Sequence, residues 1–185
     1  MKIYFATGNR HKFEETGKIM AGQNIGITHF PFRHVEIRSD SLKEIAEEAV
    51  TSAYAEIKKP VFVEDTGLFI NTLNGFPGTY SAWALKKIGT AGILKLLESK
   101  TDRTAFFETA IAYHDGEKIH AFEGKCEGEI TREAMGTSGF GYDSIFAPQG
   151  YSTTFAQNIA LKSKLSHRYN SLLKMLDYLK SVSTR

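Results

Sequence analysis

The chain has 185 residues, with 23 lysines and arginines against 21 aspartates and glutamates and a formal net charge of +2. That balance excludes bulk nucleic-acid binding, which needs a strongly basic face, and leaves room only for a local basic pocket. The single cysteine, Cys126, excludes an intrachain disulfide and a cysteine-paired zinc site and suits a reducing, cytoplasmic setting. The length suits one domain over residues 1–185, and 42% hydrophobic residues are enough for a core.

In chain order, Met1-Lys2-Ile3-Tyr4-Phe5-Ala6 is too short in apolar length for a signal peptide and reads as a first strand. No run approaches the length of a membrane helix, so no membrane partner is expected. Thr7-Gly8-Asn9-Arg10-His11-Lys12 follows, and Phe13, Thr16, Gly17 and Met20 then recur on one side of a helix. A strand, a small polar loop and a helix start present backbone N–H groups and a positive dipole end to an anion. The Walker pattern is absent, and a Thr-Gly-Asn segment before a helix is also an ordinary N-cap. Residues 25–30 read as a second strand closed by Pro31. Ser41-Leu42-Lys43-Glu44 has the form of a capping box, opening a helix to about Ile57 with Pro60 beyond. Glu36 lies in the approach to that helix, where a lone acid is most simply a solvated charge.

Val61-Phe62-Val63-Glu64-Asp65-Thr66-Gly67 runs apolar residues into two carboxylates, a hydroxyl and a glycine. This suits a buried strand whose end meets a ligand, although a pair of solvated acids reads the same way. Successive strand residues face opposite ways, so Glu64 and Asp65 do not share one face. Residues 74–81 form a rigid turn around two glycines and a proline, and two short helices follow at Trp83–Ile88 and Ile93–Leu97. Residues 105–113 alternate as a strand, Asp115-Gly116 signals a hairpin, residues 118–122 return, and 125–130 read as a further strand. Early βα units with a later antiparallel section favour a mixed sheet. Gly136-Thr137-Ser138-Gly139-Phe140-Gly141-Tyr142-Asp143 is a glycine-rich loop in which Phe140 is either a stacking platform for a planar base or a ring pinned in the core. Residues 161–182 read as an amphipathic helix with Lys162, Ser166, His167 and Arg168 near its start, where cations oppose the helix dipole.

These segments together resemble the inosine triphosphate pyrophosphatase family. The carrying residues are Thr7 to Lys12, Val63 to Leu68, Gly75 to Ser81, Gly139 to Asp143, and Ser166-His167-Arg168. They stand in the family's order and spacing across almost the whole chain. The resemblance implies an α/β fold: a long twisted mixed sheet flanked by helices, in two lobes with the active site in the cleft between them. It implies a Mg²⁺-dependent, cytoplasmic, usually homodimeric enzyme. Such an enzyme hydrolyses nonstandard purine nucleoside triphosphates (ITP, dITP, XTP) to the monophosphate and pyrophosphate.

Carried over by residue, the resemblance gives triphosphate contacts to Thr7, Gly8, Asn9, Arg10, His11, Lys12, Thr66 and Lys162. It gives the metal to Glu36 and Asp65, with Glu64 as a further candidate, and the orientation or deprotonation of the attacking water to Asp65. Phe140, Gly141, Tyr142, Asp143, His167 and Arg168 would surround the base. The sequence departs from the family's common residues at Ser144, Ser52 and Gln157, and at Leu161-Lys162 before Ser166. These departures touch fine contacts rather than the reaction. Ser52, where many relatives carry a lysine, shifts phosphate neutralisation toward Lys12 and Lys162. The competing readings are a Maf-like pyrophosphatase for pyrimidine or modified nucleotides, a nucleotide-binding module without turnover, and a structural or interaction domain. The Phe140 loop with His167-Arg168 argues against the first, the presence of Glu36 and Asp65 against the second, and the polar clusters against the third.

Overall fold

The computed structural model describes residues 2–21, 23 and 25–183; Met1, counted above in the first strand, lies outside them. The order is β1 (Lys2–Ala6), α1 (Arg10–Met20), β2 (Gly26–Phe30), α2 (Leu42–Ile57), β3 (Val61–Ile70), β4 (Pro77–Gly78), α3 (Ser81–Leu96), β5 (Thr104–His114), β6 (Ile119–Ile130), β7 (Phe146–Pro148), α4 (Ile159–Leu165) and α5 (His167–Ser183). The mixed sheet runs β2-β1-β3-β5-β6-β7, with β4 paired to β3. Two compact units divide the chain: residues 1–65, 109–124 and 168–185, and residues 66–108 and 125–167. Strands β3, β5 and β6 contribute residues to both.

In the first unit β1 pairs in parallel with β2 and with β3, in register Tyr4 to Thr28 and Tyr4 to Val61. The strand–helix–strand connections seen in the sequence supply the crossovers that parallel neighbours need. Its core gathers Ile3, Phe5, Phe62, Ile111, Leu172 and Leu176, with the Phe5 and Phe62 rings stacked at 4.4 Å. Helix α2 starts as half of the expected capping box. Ser41 Oγ accepts from Glu44 N–H, but the Glu44 carboxylate takes the Ser39 hydroxyl rather than the Ser41 amide, which donates to Ser39 Oγ.

In the second unit Leu68, Ile93, Leu97, Phe107, Phe146 and Phe155 form the core. Gly67 and Gly78 meet where β3 pairs with β4: a Cβ on Gly67 would fall 2.6 Å from the Gly78 carbonyl oxygen. Ser81 ties the same corner, its hydroxyl accepting from Leu68 N–H and donating to the Gly78 carbonyl, each at 2.7 Å. The two short helices expected after residue 81 are present as the two halves of α3, separated at Gly89, whose φ of 64° and ψ of −174° are not helical.

Two further expectations change. Residues 125–130 continue β6 rather than forming a separate strand. The closing helix is two helices, because Ser166 takes an extended ψ of 154° between α4 and α5. Ser166, His167 and Arg168 are all buried, and three consecutive residues cannot all face inward on one straight surface helix.

At the β5–β6 turn, Asp115 accepts from the Glu117 and Lys118 amides and meets His120 Nε2 at 2.7 Å, while the Tyr178 hydroxyl lies 2.9 Å from the same nitrogen. Partial burial alone would raise the Asp115 carboxyl, but these donors lower it from 3.8 to about 2. A depressed carboxyl contributes stability above its unfolded pKa and loses it as pH falls through the folded value. The Tm difference between the wild-type chain and Asp115→Asn is therefore expected to be full above about pH 4 and to narrow toward pH 2. A difference independent of pH would contradict this.

Candidate active site

The β1–α1 turn is organised by its own side chains. Asn9 caps α1, its Oδ1 accepting from His11 N–H at 3.0 Å and Lys12 N–H at 3.3 Å, and Thr7 Oγ1 accepts from Asn9 N–H at 3.1 Å. The N-cap reading of Thr7-Gly8-Asn9 holds, and the segment leads into an eleven-residue helix whose positive end lies there. Gly8 backs onto the Phe32 carbonyl, 3.2 Å from where a Cβ would stand. Arg10 and His11 are exposed, and Arg10 Nε reaches Glu14 at 2.7 Å one turn on. Glu36 is exposed in the irregular stretch 31–41 before α2.

Lys12 turns inward to β3. Its Nζ donates to the Glu64 carbonyl at 3.3 Å and lies 3.4 Å from the Glu64 carboxylate. That carboxylate also accepts from Arg168 Nε at 3.0 and 2.9 Å and from Arg168 Nη2 at 2.8 Å. Arg168 Nη1 donates to Glu15. The first unit thus joins three residues that the sequence named for different tasks, Lys12, Glu64 and Arg168. It adds Glu15, which sequence reasoning missed, although its place one helical turn after Lys12 put it on the same side of α1. Arg168 is only 1% exposed and the Glu64 side chain has no exposed surface. Burial would raise the Glu64 carboxyl, yet the charges of Arg168 and Lys12 hold it below the usual carboxylate range. Burial would likewise lower Arg168, and Glu64 and Glu15 hold it above its ordinary value. Asp65, the next residue, is half-buried, and strand alternation turns it to the opposite face.

The second unit holds Thr66, Phe140, Gly141, Tyr142, Asp143, Lys162 and His167. Asp143 Oδ2 accepts from Phe140 N–H and from Lys162 Nζ, each at 2.8 Å, and the same ammonium stands 4.4 Å from the centre of the half-buried Phe140 ring. Lys162 is 2% exposed and Asp143 3%. Gly139 must be glycine here, because its φ is +75° and a Cβ would lie 2.2 Å from Asp143 Oδ2. Tyr142 packs in the core and donates its hydroxyl to the Ser81 carbonyl at 2.8 Å. His167 lies against Phe107, ring centres 4.7 Å apart. Ser81 was not singled out from the sequence as an anchor, and nothing local marks a serine that fixes a tyrosine 61 positions away.

No three His, Cys, Asp or Glu side chains converge as a metal cage among the described residues. The carboxylates present are of the donor type that hard divalent cations take. Glu36 and Asp65 are carboxylates on accessible or half-buried positions, and Mg²⁺ is commonly held by one or two carboxylates together with a substrate's phosphates. Glu64 is committed to Arg168 and Lys12.

A mixed sheet of this strand order flanked by helices defines an α/β sheet protein, with a capped helix start in one unit and an aromatic loop held by Asp143 in the other. The chain belongs to the Ham1 family, whose profile matches residues 3–178. Among its relatives, the dITP/XTP pyrophosphatase of Methanopyrus kandleri is 42% identical over 183 residues, covering 98% of this chain and 97% of that protein. That of Thermococcus kodakarensis is 40% identical over 181 residues, covering 97% and 98%. A solved HAM1 protein from Coxiella burnetii superimposes with a TM-score of 0.86 at 28% identity, covering 98% of this chain and 99% of that one. No helix among the described residues is long and apolar enough to cross a membrane.

Removing the Asp143 carboxylate would leave a buried ammonium without its counter-charge, which costs about 3–5 kcal/mol. Asp143→Ala is expected to lose that much in urea unfolding, and Lys162→Met in the same chain to recover most of it. Losses that simply add would contradict the pairing.

Proposed function

We propose that this protein hydrolyses nonstandard purine nucleoside triphosphates, ITP, dITP and XTP, to the monophosphate and pyrophosphate. The observation that carries the reading is the near-full-length match, at about the same identity in each case, to proteins named dITP/XTP pyrophosphatase. The local geometry supports it. Thr7, Gly8, Asn9 and Lys12, at the positive end of α1, receive the triphosphate, with Arg10 and His11 beside it and Thr66 as a further contact. Asp65 orients the attacking water or takes its proton. Glu36 and Asp65 would hold Mg²⁺, which when bound stabilises charge on the phosphates.

Phe140 stacks on the base, on a loop fixed by Asp143 and flanked by Gly141 and Tyr142. Lys162, expected to add phosphate or sugar contacts, bonds Asp143 and lies over the Phe140 ring, and so supports the loop that carries that ring. The resemblance assigns His167 and Arg168 to the purine's C6 side, where hypoxanthine and xanthine carry an acceptor oxygen and adenine a donor amine, although the Arg168 guanidinium is held here by Glu64 and Glu15. A buried donor left against a donor costs about 1–3 kcal/mol, which rejects adenine roughly ten- to hundredfold. The cytoplasmic setting rests on the lone cysteine. Homodimerisation rests on the resemblance and on the exposed aromatic surface of Tyr80 and Trp83 beside and in α3.

Phosphorus NMR of an ITP reaction should show pyrophosphate and inosine monophosphate appearing together, without orthophosphate; orthophosphate as the product would contradict the reaction. Asp65→Asn is expected to keep the fold and lose turnover by about a hundredfold or more, and near-wild-type rates would remove Asp65 from the water's activation. Phe140→Ala is expected to raise KM about tenfold through lost stacking, and an unchanged KM would remove the ring from the base site.

A further inference from the structure

We infer that Glu64 is a positioning residue that sets the Lys12 ammonium at the triphosphate and holds Arg168 on the same carboxylate, rather than a ligand of the metal ion. This rests on the proposed function for the ligand Lys12 meets, and on four residues of the first unit for its geometry.

Glu64 grips Lys12 twice, through its carbonyl at 3.3 Å and its carboxylate at 3.4 Å. An ammonium has three donors. Two anchored on one residue fix where Nζ stands and direct the third toward an incoming phosphate oxygen. A lysine on a flexible stem otherwise loses rotamer freedom on binding an anion, and anchoring it beforehand lowers that cost. The same carboxylate holds Arg168 through three donor–acceptor contacts of 3.0, 2.9 and 2.8 Å, and Glu15 takes another of its donors. Two cations therefore meet two carboxylates in the cluster.

The metal role fits less well. An ion shared with substrate phosphates needs a carboxylate oxygen that solvent and substrate can reach. The Glu64 side chain has no exposed surface, and both of its oxygens accept from Arg168. Asp65, one residue on, is half-buried rather than fully enclosed.

The test reads Lys12 without turnover and without metal: calorimetric binding of inorganic tripolyphosphate in EDTA to the wild-type chain, Glu64→Gln, Lys12→Met and the double variant. Each single change is expected to weaken binding about tenfold, the worth of a charge-assisted contact, and the double variant to bind no worse than Lys12→Met alone. Mn²⁺ binding, followed by electron paramagnetic resonance, is expected to be the same in Glu64→Gln as in the wild type.

Should Glu64→Gln fail to fold, Glu64→Asp and its double with Lys12→Met decide the matter. Aspartate keeps the buried charge and draws it away from Lys12, so tripolyphosphate binding falls in the folded variant, and again the double variant matches Lys12→Met. Additive losses in the double variants, unchanged tripolyphosphate binding in the folded Glu64 variants, or weakened Mn²⁺ binding would overturn the assignment. Failure of the pyrophosphatase reading would appear separately, as no pyrophosphate release from the wild-type protein.

Discussion

A carboxylate without solvent-exposed surface stays ionised only where cations meet it, and Glu64 is met by two. The Arg168 guanidinium approaches it bidentately and the Lys12 ammonium from a second side. Desolvation of a lone buried acid would push its pKa up; here the neighbouring charges win and hold it down. That one constraint links the first turn of α1, the inner face of β3 and the start of α5. It explains why two adjacent acids, Glu64 and Asp65, have different fates. One is buried in a charge cluster, and the other is left at the half-buried position where chemistry on a substrate is possible.

The second unit solves a similar problem with fewer groups. Lys162 and Asp143 are both buried and bond one another, and the carboxylate oxygen that receives the ammonium also receives the Phe140 amide. A loop containing glycines at 139 and 141 has much conformational freedom to lose. The shared oxygen offsets part of that loss, and the Tyr142 hydroxyl on Ser81 fixes the loop's far side. Phe140 is therefore not pinned in the core. It is half-buried on a backbone that its neighbours hold. In each unit a buried ion pair stabilises little by itself, and its consequence is a defined position for a more accessible group.

Much of this was legible in the chain. The strand–turn–helix of residues 3–20, the helix opened at Ser41, the Asp115-Gly116 hairpin and the mixed sheet follow from period, caps and turn residues. The five motif segments led to the family. Other features depended on distant partners. Nothing local to Lys162 says that its ammonium points at Asp143, nineteen residues earlier, so its charge read as a phosphate contact. Nothing in Ser166 announces the break between α4 and α5, because amphipathic spacing runs straight through it. Burial of His167 and Arg168 together is a tertiary demand that overrides the helical period. The capping box at Ser41 and Glu44 was half right for a local reason: Ser39 supplied a competing hydroxyl to the same carboxylate.

The most direct test of the account is kcat/KM for pyrophosphate release, with Mg²⁺, from ITP, dITP and XTP beside ATP, GTP and a pyrimidine triphosphate. The account predicts that the inosine and xanthosine nucleotides are preferred over ATP by roughly ten- to hundredfold, the cost of leaving a buried donor against adenine's amine. Equal rates across the set, or a preference for the pyrimidine nucleotide, would contradict it.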